Sequence, residues 1–138
     1  MDLKGDLENY QKFTNIQFPV VKIQESIEII IKSGVEYEFR TTVVPGLHDL
    51  ENLKRLAEQI REIRGNMATQ QHSNKEKISE AMKLCNSVAS PKWFLQQFRP
   101  MNTLNPAFTK IKPFTKEEMK SFRKELQKII PNTFLRGV

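Results

Sequence analysis

Asp2 and Lys4 stand two residues apart near the start of the chain, and at a strand end that spacing projects a carboxylate and an ammonium from the same face. Such a pair can grip a zwitterionic or hydroxyl-rich ligand. Arg40 lies within the alternating stretch 35–44 and shares a face with Glu38 and Thr42. A guanidinium fixed mid-strand is suited to a carboxylate or a ribose-bearing ligand. On a later strand Gln97 and Arg99 share parity and are candidates to join it. A polar stripe of this kind is merely wet on a free-standing two-layer sheet. In a barrel it points into the lumen, where polar groups need a ligand or a network of partners.

Other candidates carry less. His48 follows Pro45-Gly46 and precedes Asp49, with no second ligand at a recognised metal spacing, and reads as a surface loop histidine; His72 reads the same way. A metal-dependent hydrolase built on Asp2, Asp6, His48 and Asp49 lacks ligand spacing, so no metal ligand is assigned. Cys85 is the single cysteine. It excludes an internal disulfide framework, and equally a cysteine-ligated cluster or zinc finger built from this chain alone.

The elements that must position these residues alternate between strand and helix. Asp2 to Gly5 read as a strand end running into a loop. Ile23, Ile27, Ile30 and Ile31 form a helical stripe capped by Gly34. In 35–44, Val35, Tyr37, Phe39, Thr41 and Val43 fall on one face, with Glu36, Glu38, Arg40, Thr42 and Val44 on the other. Asp49 caps a second helix with Leu50, Leu53, Leu56, Ala57, Ile60 and Ile63 inward, and Gly65 is expected to stop it. Residues 66–90 read as an insertion with one extra helix, opened by Ser73-x-x-Glu76 and carrying Ile78, Ala81, Met82 and Cys85. Trp93 to Phe98 read as a strand. Thr115-x-x-Glu118 opens a last helix with Met119, Phe122, Leu126, Ile129 and Ile130 inward, ended by Pro131, and Thr133–Arg136 read as a short final strand.

The order is β(truncated)–α–β–α–(inserted α)–β–α–β. It predicts an α/β fold of parallel strands in a single domain over 1–138, half of a partial (β/α) barrel with its chemistry at the carboxyl ends of the strands. The edge at Asp2 is expected to be open and the polar face exposed, with the inserted helix a candidate cover for one of them.

The bulk properties fit a soluble domain. Hydrophobic residues are 38% and charged residues 28%, and the longest apolar run, Ile29 to Ile31, is far too short for a membrane span. Residues 1–15 resemble neither a signal nor a transit peptide, so the expected location is the cytoplasm. A net charge of +6 could draw an anionic cofactor, nucleic acid or an acidic partner. Acids interleave the bases in every helix, which argues for a solvated basic surface over a nucleic-acid site. Lys116, Lys120, Lys124 and Lys128 along the last helix keep one alternative open: a small basic binding module for nucleic acid or an acidic protein.

Taken in order, Asp2-Leu3-Lys4, the FRTTVVPG stretch at 39–46 followed by Asp49, LQQFRP at 95–100, TLNP at 103–106 and the closing Arg136-Gly137 resemble one family. It is the radical S-adenosylmethionine (SAM) activating enzymes of glycyl-radical enzymes, above all those acting on anaerobic ribonucleoside-triphosphate reductase. The resemblance spans about residues 1–65 and 91–138. It implies a partial barrel of six βα units holding SAM and a [4Fe–4S] cluster, whose reduction of SAM gives a 5′-deoxyadenosyl radical that takes a hydrogen atom from a glycine of the partner. By the same resemblance Asp2 and Lys4 lie beside the SAM and cation site, and Arg40 is the strand arginine near SAM. Thr42 sits where the backbone passes the adenosyl group, and Arg99 where a side chain approaches the adenine. The family's C-x-x-x-C-x-x-C loop and its G-G-E stretch do not occur here, so the chain alone is expected to bind SAM weakly and to catalyse nothing. A separate cluster-bearing half and a glycyl-radical enzyme are the implied partners.

Overall fold

Among the described residues three strands, β1 (Glu38–Val43), β2 (Lys92–Gln97) and β3 (Thr133–Arg136), make an open, all-parallel sheet in the order β1-β2-β3. The computed structural model describes residues 1–17, 19–70, 91–101, 103 and 105–138. Beside the free edge of β1 runs the N-terminal segment, also parallel. The Leu3 amide donates to the Arg40 carbonyl at 2.8 Å, the Arg40 amide donates to the Met1 carbonyl at 3.0 Å, and Asp2 stands opposite Arg40. Between that segment and β1 lie α1 (Tyr10–Thr14) and α2 (Val20–Lys32); α3 (Leu50–Gln70) follows β1. A 3-10 turn (Pro106–Lys110) and α4 (Lys116–Leu126) lead from β2 to β3. The expected mixed α/β architecture with parallel strands is present.

Alternation divides the sheet into two unlike faces. Phe39, Thr41 and Val43 are buried, as are Trp93, Leu95 and Thr133 on the neighbouring strands. The apolar ones, Phe39, Val43, Trp93 and Leu95, meet Ile27 and Ile31 of α2, Leu53, Leu56 and Ile60 of α3, and Met119 and Leu126 of α4 in one core, which Leu3 joins from the N-terminal segment. Each such side chain removed from water contributes about 1.5–3 kcal/mol. All of this core lies on the odd-numbered face of β1. The even-numbered face, with Arg40 and Glu38, has no helix over it among the described residues.

Local chemistry sets the helix ends. Gly34, just past α2, has φ 72°, the left-handed geometry a glycine adopts without strain. At the start of α3 the Asp49 carboxylate accepts the Asn52 amide at 2.8 Å, and the Asn52 side chain accepts the Asp49 amide at 3.2 Å. Thr115 and Glu118 close the expected capping box on α4. The strand expected over 35–44 begins only at Glu38, with Val35 64% exposed, and two helix boundaries also differ from expectation. Helix α3 does not stop at Gly65 but runs to Gln70, because Gly65 is not in the left-handed conformation a glycine stop requires and Met67, one helical turn on from Ile63, still buries its side chain. Regular α4 ends at Leu126, although Ile130 remains tied back to the Leu126 carbonyl and buried. The remainder of the expected insertion, with Ser73, Glu76 and Cys85, lies outside the described residues, as does His72.

Candidate functional site

Arg40 leaves the centre of β1 on the uncovered face. Its Nε donates to Asp2 Oδ1 at 2.9 Å, and Lys4 Nζ reaches Asp2 Oδ2 at 3.4 Å. The backbone places these groups together. Leu3 is drawn into the core and bonded to Arg40, so its neighbours Asp2 and Lys4 must face outward on the Arg40 side. Arg40 keeps 42% of its side-chain surface exposed, and its two terminal nitrogens have no partner among the described residues. Partial desolvation would raise the Asp2 carboxyl, but the charges of Lys4 and Arg40 and their hydrogen bonds outweigh it and hold Asp2 below the ordinary carboxylate range.

The same face carries a second ionic unit. Arg136 of β3 donates to both oxygens of Glu38 at 2.9 and 3.1 Å, and its guanidinium lies 4.0 Å over the Phe94 ring. Phe94 stacks on Phe134 with centroids 5.3 Å apart, leaving Phe134 41% exposed. The bond from Arg136 is the main reason Glu38 is held below its ordinary value. Arg40 bridges the two units, standing 4.0 Å from Glu38. Three cations, Lys4, Arg40 and Arg136, therefore face two carboxylates, Asp2 and Glu38. That surplus positive charge, beside an exposed aromatic pair, suits a ligand with an anionic end and a flat apolar body.

Of the sequence-derived candidates, Asp2, Lys4 and Arg40 are brought into contact. Thr42 shares the face one step toward the carboxyl end, opposite Gln96. Arg99 is not brought to them; it is exposed past the end of β2, beside Gly137. Gln97 does not join Arg40 either. The register sets Arg40 against Phe94 and Val43 against Gln97, so Gln97 takes the covered face, where its amide nitrogen donates to the Phe114 carbonyl at 2.6 Å. The Glu38–Arg136 and Phe94–Phe134 pairs escaped the sequence reading. Their parity was visible, but their register across the sheet was not.

His48 corrects an expectation. It is 6% exposed, not a surface residue: burial pushes its pKa below the ordinary histidine value, against hydrogen bonds at Lys4 and Val44 and the charges of Asp49 and Asp6. Asp6 itself is buried, capping Asn9 and reaching Arg55 at 3.5 Å, while Asp49 caps α3. Among the described residues no three His, Cys, Asp or Glu side chains converge on a common point. No helix there is long and apolar enough to cross a membrane. One cysteine in the sequence does not fit a [4Fe–4S] cluster, which takes several thiolates.

The chain matches no family model, no curated protein and no solved structure.

Proposed function

We propose that this chain is the C-terminal portion of a cytoplasmic radical SAM activating enzyme for a glycyl-radical enzyme, such as an anaerobic ribonucleotide reductase. In this reading the open sheet is the SAM-facing wall of a partial (β/α) barrel, and the cluster thiolates come from residues outside this sequence. The observation that carries the reading is Arg40. It stands mid-strand in β1 on the uncovered face of a parallel sheet, anchored through Nε by Asp2, with both terminal nitrogens free among the described residues. Free N–H groups held in a fixed fork are what a ligand carboxylate or ribose requires.

SAM, when bound, would supply the radical chemistry. The chain's own residues bind and orient. Arg40 holds the anionic end, Asp2 keeps the guanidinium aimed, and Lys4 balances the Asp2 charge. Thr42 lines the path toward the carboxyl ends of the strands, and Arg99 stands beyond β2 on the adenine side. The Phe94–Phe134 pair and Arg136 form the apolar floor and its rim. Without the cluster-bearing portion the chain is inactive.

The test is complementation under anaerobic, reducing conditions. The chain is mixed with a polypeptide carrying a C-x-x-x-C-x-x-C loop, and 5′-deoxyadenosine release from SAM is measured. A gain that needs both pieces, and that Arg40→Ala removes, supports the reading. No gain over the cysteine-bearing piece alone overturns it.

A further inference from the structure

His48 has no place among the proposed ligand-binding groups, yet both of its ring nitrogens are engaged. Its Nδ1 accepts the Val44 amide at 3.1 Å, and its Nε2 lies 2.9 Å from the Lys4 carbonyl. A backbone amide can only donate and a carbonyl can only accept. The proton must therefore sit on Nε2, and the ring must be neutral. The ring thus joins two segments 44 residues apart: the end of the Asp2–Lys4 segment and the end of β1. Phe13 closes over it with centroids 4.9 Å apart. Gly5 makes room for Phe13, because a Cβ at that position would come within 2.2 Å of the Phe13 ring. The Lys4 amide is held as well, donating to the Tyr10 hydroxyl at 3.3 Å.

We propose that His48 is the positioning residue of the Asp2–Lys4–Arg40 surface: its Nε2-protonated imidazole locks the Lys4 carbonyl to the Val44 amide and so keeps the strand end in register with β1. Two backbone bonds join the N-terminal segment to β1 at Arg40, and the imidazole is the clamp at the carboxyl end. Loss of the clamp frees Lys4 first and then the Leu3–Arg40 bond, leaving the Arg40 guanidinium without a fixed Asp2. Protonation has the same effect, since an imidazolium Nδ1 cannot accept from Val44. The charged and titratable groups around the ring are Asp6 from the loop before α1, Tyr10 and Lys12 of α1, and Asp49 at the head of α3. The assignment adds to the SAM reading and rests on it only for the identity of the ligand.

The experiment uses the full chain labelled with nitrogen-15, without SAM. Imidazole nitrogen shifts read the tautomer, and amide exchange reads the Leu3–Arg40 bond against the amides of β2. The expected result is an Nε2–H tautomer in the wild type. His48→Phe, which keeps a ring against Phe13, lowers Leu3 protection at least about tenfold while β2 stays protected, and His48→Gln, which keeps a donor for Lys4, recovers most of it. Acidification of the wild type also lowers Leu3 protection as the ring protonates. An Nδ1–H tautomer, an imidazole titrating as a free histidine, or unchanged Leu3 protection in His48→Phe overturns the assignment. Should His48→Phe unfold altogether, the wild-type tautomer and acid response decide. Failed SAM binding alongside these expected exchange results overturns the ligand and leaves the clamp standing.

Discussion

Arg136 reaches Glu38 from the opposite end of the strand order, 98 residues away in sequence, by lying across Phe94 on the strand between them. A bidentate carboxylate contact and an aromatic face hold one guanidinium, so Lys is no substitute for it. Glu38→Gln is predicted to destabilise the fold at neutral pH. Its folded-state pKa is depressed, so the stabilisation is present above the ordinary carboxylate range and is lost as pH falls through it. Thermal unfolding against pH and salt checks this: the difference from wild type should shrink with acid and with salt. A difference that persists in acid contradicts the assignment to the ion pair.

Inside the core, the Trp93 indole N–H donates to Thr41 Oγ1 at 3.0 Å, and both side chains are fully buried. Thr41→Val keeps the volume and removes the acceptor that the indole N–H uses. The expected cost is about 1–3 kcal/mol in denaturant unfolding, from a stranded buried donor. Trp93→Phe combined with Thr41→Val should cost less than the sum of the two single changes.

Glycine substitutions separate the true helix stop from the false one. Gly34→Ala forces a side chain into φ 72° and is predicted to destabilise by about 1 kcal/mol. Gly65 is interior to α3, with nothing within 4 Å of an added Cβ, so Gly65→Ala is predicted to stabilise by about 0.5–1 kcal/mol. Equal effects of the two in urea unfolding would mean that α3 ends where its sequence suggests.

His48 sets a pH dependence of opposite physical origin to that of Glu38. Burial depresses its pKa, so between the ordinary histidine value and the folded-state value the unfolded chain binds the extra proton. Stability is therefore complete above about pH 6.5 and declines as pH falls below it. In His48→Gln that portion of the decline should vanish, leaving only the carboxylate part at lower pH.

Much of this was legible in the sequence. The alternation of 35–44, realised as a strand over Glu38–Val43, the capping residues at 49 and 115 and the isoleucine stripe of α2 are legible because local periodicity and capping chemistry act within a few residues. Parity and resemblance single out Asp2, Lys4 and Arg40 separately, but nothing in the sequence pairs Asp2 with Arg40. Register was not legible. Parity counted along one strand put Gln97 with Arg40, whereas pairing set Phe94 there. The burial of His48 is hidden for a related reason: a histidine after Pro-Gly looks exposed until the Lys4 carbonyl and Phe13 arrive from distant segments to cover it.

Whether the Arg40 face binds SAM is decided by calorimetric titration of SAM into the chain and into its Arg40→Ala variant. Weak, saturable binding is expected, reduced at least about tenfold in the variant through loss of a charge-assisted contact. Identical isotherms, or no saturable heat from the wild-type chain, would contradict it.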